Sequence, residues 1–226
     1  MYTTWQLPDA GPDAGEEQVL GFDHGRAQRL LILPALFAEA NAMRHQTFLL
    51  MQHLHAAGID CFLPDLPGCN ESLAPLSAQT LAGWRAQAAV AAAQVRATHV
   101  FGVRAGAWLA PADLPGWLLA PPNPAAVLRG LIRARIVAEK EAGREETTEA
   151  LLAQAQESGL TLAGYDLGPE LARELAEDDF APSERHEAIE QAQLGGQPLW
   201  LRAEAGSDPE QARILGDILA AGMADA

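Results

Sequence analysis

The strongest constraint on the fold lies between Leu30 and Val103, where short apolar runs alternate with stretches of helical periodicity. "EEQVLGFDHGRAQRLLILPAL" reads as two short strands around the turn Asp23 to Gly25, the second ending in the apolar run Leu30 to Leu33. From Asn41, a good N-cap, to Gly58, a good C′ residue, Met43, Thr47, Leu50, Leu54 and Ala57 recur at three- and four-residue steps. "IDCFLPDLPG" follows as a buried strand ending at Asp65 and Pro67, a second helix runs from Thr80 to about Val95, and "THVFGV" is the next strand. The order β-α-β-α-β with short connections predicts a parallel sheet built from right-handed crossovers.

"GWLLAP" at 116–121 and "QPLWLRAEAG" at 197–206 are expected to add two more strands, and a closing helix begins at Pro209. The intervening segment, about 122–195, reads as helical. Leu128, Leu131, Ile132 and Ile136 form one apolar stripe; Leu171, Ala172 and Leu175 form another after Pro169, a residue suited to a first helical turn. Its expected place is a helical cap over the carboxyl edge of the sheet, where open α/β folds bind ligands. The tandem Pro-Asp-Ala-Gly at 8–15 reads as a surface loop. The expected fold class is therefore α/β: a mainly parallel sheet with helices on both faces and a cap, in one domain over all 226 residues.

Thirty acidic against fifteen basic side chains give a formal charge of -15. A polyanion would meet net repulsion, which argues against nucleic acid as a partner. The first residues lack the basic region and apolar core of a signal peptide, and no run is long enough to span a bilayer, so a cytoplasmic chain without membrane insertion is expected. Cys61 and Cys69 form no C-x-x-C pair and no His/Cys cluster shows metal-ligand spacing, so free thiols and no metal or cofactor are expected.

"HVFGVRAGAWLA", at 99–110, has the pattern of a nucleophile elbow, a sharp strand-to-helix turn of form G-x-nucleophile-x-G, with Arg104 at its tip. Gly102, Ala105 and Gly106 suit a turn so abrupt that larger side chains would meet neighbouring strands. Together with this turn, "LLILPALFAEANAMRHQ" resembles the α/β-hydrolase strand and loop that supply part of the oxyanion hole. "LPDLPGCNES" resembles the D-x-x-G-x-x-S segment, and "LWLRAEAGSDPE" the G-x-x-D-P loop of the catalytic acid. Within that superfamily the chain is most similar to the exosortase A system-associated hydrolases, through "FAEANAMRHQ", "LPDLPGCNES", the arginine elbow, "LRGLIRAR" and "LAGYDLGPEL". The resemblance implies a truncated α/β-hydrolase-like fold and a place in a bacterial exopolysaccharide or protein-sorting system. It puts Arg104 at the nucleophile position, Asp208 at the acid position, Phe37 in the oxyanion loop, and the N–H of Ala105 after the elbow.

Two triad members are then missing. A guanidinium stays protonated and cannot attack a carbonyl, and no histidine follows His186. The expected function is a non-catalytic protein that binds a small-molecule or glycan-derived ligand, or a protein partner. Expected ligand-site residues are Arg104, Ala105, Phe37, Glu39, Asp65 and Trp108. Arg104 would either anchor an anionic ligand or pair internally with Glu39, Asp65 or Asp208. The alternatives are hydrolysis of esters, thioesters or glycan substituents by Ser72, Cys69 or a metal-activated water, with His45 the one histidine expected near the carboxyl edge, and homodimerisation through an open sheet edge. Ser72 as a turn former and Cys69 as a packed thiol are the plainer readings of those residues. Arg129, Arg133 and Lys140 would guide an anion or simply form a solvated face, and of the tryptophans only Trp108 is expected beside a pocket.

Overall fold

A computed structural model describes residues 1–6, 16–202 and 204–224; the tandem repeat at 8–15 lies outside them. The main sheet has seven strands: β1 (Tyr2–Gln6), β2 (Glu16–Phe22), β3 (Arg29–Leu33), β4 (Asp60–Pro64), β5 (His99–Val103), β6 (Gly116–Leu119) and β9 (His186–Ile189). Their spatial order is β1-β2-β4-β3-β5-β6-β9. β3, β4, β5, β6 and β9 run parallel, and β1 and β2 join antiparallel. The mainly parallel sheet is thus as the alternation requires, while β1 was not expected.

β3 shows how the sheet is filled on both faces. Leu31 and Leu33 pack with Trp84 of α2 (Leu81–Gln94), whereas Leu30 and Ile32 pack with Leu50 and Leu54 of α1 (Ala38–Ala56) and Leu215 and Leu219 of α7 (Pro209–Ala224). The three leucines and the isoleucine of this strand are all fully buried, the signature of a central parallel strand. α2 begins where its sequence says it should: Thr80 Oγ1 accepts from the N–H of Gly83 at 2.8 Å. α1 does not. It begins at Ala38 rather than after Asn41, because Phe37 holds φ 56° and ψ -138° and turns the chain straight into the helix with no side-chain cap.

Two expectations fail for identifiable reasons. The described residues of 197–206 form no strand; Leu199–Leu201 is a single 3-10 turn behind Pro198, which has no N–H to give a sheet. The strand beside β6 is β9 instead, whose "HEAI" is half exposed and carries no apolar run to betray it. Consequently the segment 122–195 is not helical throughout. It carries α3 (Pro124–Glu141), α4 (Thr148–Ser158), the hairpin β7 (Leu160–Leu162) and β8 (Tyr165–Leu167), and α5 (Pro169–Glu177), then returns to the sheet; α6 (Gln191–Leu194) follows β9.

The segment from α3 to α5 is fixed to the body rather than hinged. Leu128, Ile132, Leu151, Leu171 and Leu175 share one apolar cluster with Leu31, Leu33 and Trp84. The carboxylate of Glu174 caps α2, accepting from the N–H groups of Leu81 and Ala82. Arg85 pairs with Asp178 at 2.8 Å. Among the described residues no helix is long and apolar enough to cross a membrane.

Candidate functional site

β5 ends in the turn that the glycine spacing requires. A Cβ on Gly102 would lie 2.5 Å from Cα of Ala107, and one on Gly106 would lie 2.3 Å from the carbonyl oxygen of Pro34. Neither leaves room for a methyl group. Arg104, at the tip, holds φ 53°, a left-handed conformation that costs a non-glycine residue about 1–3 kcal/mol and persists only where its surroundings impose it. The turn leads into a six-residue 3-10 helix, Arg104–Leu109, in place of the longer helix that the pattern suggests; the prolines at 111 and 115 follow it.

The strained backbone delivers the Arg104 guanidinium to a closed set of partners. Its Nε donates to Glu39 at 3.0 Å and its Nη2 to the other oxygen of the same carboxylate at 3.1 Å. Its Nη1 donates to the carbonyl of Ala120 at the end of β6, another residue with positive φ. The guanidinium carbon sits 4.3 Å over the Trp200 ring, a cation–π distance. Of the carboxylates expected as partners, Glu39 is therefore the one that pairs.

Beside this pair lies a cavity of about 410 Å³ between the carboxyl edge of the sheet and α3, lined by Leu36, Phe37, Glu39, Arg104, Val127 and Leu131 among others. Its size falls within the range of small-molecule sites. Phe37 forms one wall, edge-on to Trp84 and to Tyr165 at 6.5 and 5.5 Å between ring centroids. Ala105 also lines the cavity, and its N–H lies in the first turn of the 3-10 helix, where no intrahelical acceptor exists.

Four expected ligand-site residues, Arg104, Ala105, Phe37 and Glu39, thus meet at one cavity; the others do not. Asp65 is turned to Arg44 (3.4 Å) and Asn70 (2.8 Å). Trp108 is buried, with its indole N–H on the carbonyl of Pro122 at 2.8 Å, and lines a different cavity with Arg85, Asp178 and His186. Asp208 starts α7: Oδ1 accepts from the N–H groups of Glu210 and Gln211 at 3.0 and 3.1 Å. Its own N–H and C=O are clasped by the buried Gln46 amide at 2.8 and 3.0 Å, and none of these bonds reaches Arg104. His45 lines a separate surface hollow with Asn41 and Phe48.

Ser72 Oγ accepts from the N–H groups of Gly68 (2.9 Å) and Ala74 (3.1 Å) and donates to Glu17 at 2.6 Å. Burial raises the carboxyl of Glu17, the Ser72 hydroxyl lowers it, and the nearby Asp65 charge raises it again. This is the geometry of a pinned turn, with no histidine among its bonds. The Cys69 thiol is pushed up to about 12 by burial, reinforced by the carboxylates of Asp65 and Glu17, and Cys61 reaches about 12 for the same leading reason. Neither supplies thiolate near neutral pH.

Arg129, Arg133 and Lys140 are exposed on α3. Of the acidic residues near them, Glu146 pairs with Arg135 at 3.0 Å and Glu139 with Arg135 and Arg144. Trp200 and Tyr165 are the residues that sequence reasoning missed. Trp200 packs against the core cluster of α1 and α7 and also lies against Arg104; nothing in its spacing marks the second contact. Among the described residues no cluster of His, Cys, Asp and Glu could hold a metal ion.

No family model matches the chain, and no curated protein matches it in sequence. Solved structures do. The α/β hydrolase domain-containing protein 10 from mouse matches over 100% of this chain and 97% of its own, with a TM-score of 0.57 and 12% identity. Est1E from Butyrivibrio proteoclasticus, solved with ferulic acid bound, matches over 92% and 95% with a TM-score of 0.52 and 12% identity. A thermophilic esterase from Thermogutta terrifontis matches over 100% and 97% with a TM-score of 0.50 and 11% identity. At such identities the likeness is one of fold, and the fold is that of the α/β hydrolases.

Proposed function

We propose that this chain is a ligand-binding protein on an α/β-hydrolase scaffold that has exchanged its nucleophile for Arg104, with α3 to α5 as the cap. A glycan-derived or other small molecule would occupy the cavity beneath that cap, in a cytoplasmic accessory role within a bacterial exopolysaccharide or exosortase system. The pathway rests on the sequence resemblance alone. One observation carries the binding reading: the elbow is retained with its strain, yet its tip holds a guanidinium engaged by Glu39, Ala120 and Trp200 beside a cavity of about 410 Å³. A residue serving only to fill a vacated site would not need an adjoining cavity.

Catalysis of the triad type has no support in this arrangement. Arginine offers no nucleophilic lone pair, and none of the described contacts of Arg104 is a histidine. The binding reading is tested with the neutral dye Nile red. Its fluorescence should saturate at one dye per chain, and Ala134→Trp, a substitution on the exposed cavity-facing side of α3, should abolish that signal while leaving the melting temperature unchanged. Saturable binding unaffected by Ala134→Trp, or no binding by the folded protein, would overturn it.

A further inference from the structure

The cavity floor is a neutral pair, not a free cation, and this decides which ligands it can take. Glu39 occupies the Arg104 fork with both carboxylate oxygens, and Ala120 takes a third N–H. A guanidinium has five N–H donors, so two remain for a ligand. An incoming carboxylate or phosphate would have to dislodge a carboxylate already held on the same protein, or sit beside its charge. Like charges at contact distance cost far more at a partly buried site than in water, and Arg104 and Glu39 side chains are only 13% and 25% exposed. The chain's formal charge of -15 adds long-range repulsion of the same sign. Leu36, Phe37, Val127 and Leu131 make the remaining walls mainly apolar.

We infer that Glu39 is the specificity-determining residue of this cavity: by neutralising Arg104 it makes the site select uncharged apolar molecules bearing a carbonyl or hydroxyl acceptor over their anionic counterparts. The two unused Arg104 N–H groups donate to that acceptor, and the apolar walls hold the chain attached to it. This reverses the expectation that an arginine at the elbow anchors anions. It rests on the binding reading above and goes beyond it by assigning the ligand's charge.

The test is a matched pair of probes, methyl decanoate and decanoate, each titrated at pH 8 as a competitor of Nile red on the full chain. Wild-type protein should bind the ester at least tenfold more tightly than the acid. Glu39→Gln, which keeps the shape and removes the charge, should bind decanoate at least tenfold more tightly than wild type does, so that the ester's advantage over the acid shrinks at least tenfold. Decanoate bound as tightly as the ester by wild type would overturn the charge assignment while leaving the cavity as a binding site, and this comparison needs no variant to fold. So would a Glu39→Gln protein of unchanged melting temperature with unchanged decanoate affinity. Failure of both probes to displace a dye that does bind would overturn the inference alone, whereas failure of the dye itself to bind would sink the binding reading on which it rests.

Discussion

Two arginines sit at opposite ends of the same sheet, each bound to carboxylate and each over an aromatic ring, yet they do different things. At the amino edge Arg29, the first residue of β3, donates to Asp60 at 3.1 Å and to Asp23 at 2.9 and 3.1 Å, with its guanidinium 4.6 Å from the Phe62 ring. Its Nε takes the carbonyl of Val95 at 2.7 Å. Asp60 is fully buried, and the same oxygen that meets Arg29 also accepts the backbone N–H groups of His24 and Arg26. That oxygen is held by three donors, Arg29 and Asp60 are the first residues of their strands, and Asp60 Oδ1 lies 3.7 Å from Arg26 Nε with no hydrogen-bond partner among the described residues. At the carboxyl edge Arg104 stands on strained backbone with one carboxylate partner, unused donors and a cavity beside it. The same pair of functional groups is scaffold where it is buried and tied to several backbone groups, and, on the proposed reading, a site where it is strained and open.

The largest difference between the two should appear in stability. Asp60→Ala leaves Arg29 and Arg26 facing a buried vacancy and should lower unfolding free energy by about 3–5 kcal/mol. Glu39→Ala should cost about 1 kcal/mol, since water can replace its carboxylate. Urea denaturation of both variants checks this; equal losses would erase the distinction.

A smaller effect separates them by substitution at the elbow itself. Arg104→Ser should lower stability by about 1–2 kcal/mol through loss of its hydrogen bonds. It should gain no esterase activity toward p-nitrophenyl acetate above the unfolded-protein background, because no histidine is among the described residues that line the cavity or bond to Arg104. Turnover restored by that single change would mean that a base lies within reach.

Acid sharpens the comparison further. The Arg29 guanidinium holds the Asp23 carboxyl well below the usual carboxylate range, against a desolvation effect that raises it. A folded-state value depressed in this way contributes stability that is present above the unfolded value and is lost as pH falls through the folded one. Asp23 is half exposed, so solvent screening keeps its share small. Wild type should lose stability below about pH 4, and Asp23→Asn should flatten that slope by a measurable fraction. An identical slope in the variant would show that Asp23 plays no part.

The smallest expected signal is at sulfur. With both thiols held up at about 12 by burial, iodoacetamide at pH 7.5 should label neither Cys61 nor Cys69 in the folded protein and both after denaturation. Rapid labelling of folded Cys69 would revive it as a nucleophile.

The parallel core was legible because its strands are buried on both faces and read as apolar runs, as in Leu30 to Leu33. β9 was illegible because an edge strand with one open side needs no such run, and Leu199 to Leu201 misled because an apolar triplet behind a proline can bury itself in a turn. The elbow was readable from Gly102 and Gly106, whose missing side chains are demanded by contacts within a few residues of chain or on the adjacent strand. Glu39 was foreseen as one of three partners for Arg104; choosing among them depended on where α1 begins, which the strained backbone at Phe37 decides without any sequence mark. Trp200 reaches Arg104 only through tertiary packing of a loop nearly one hundred residues downstream, and no local pattern records that.

The most direct test of the central claim is intact mass after incubation with a broad fluorophosphonate, with peptide mapping and a fully labelled serine hydrolase as control. A scaffold whose elbow carries arginine and whose Ser72 is pinned in a turn should remain unmodified while folded. A stoichiometric adduct on Ser72 or any other serine would contradict the account and identify the nucleophile of a working hydrolase.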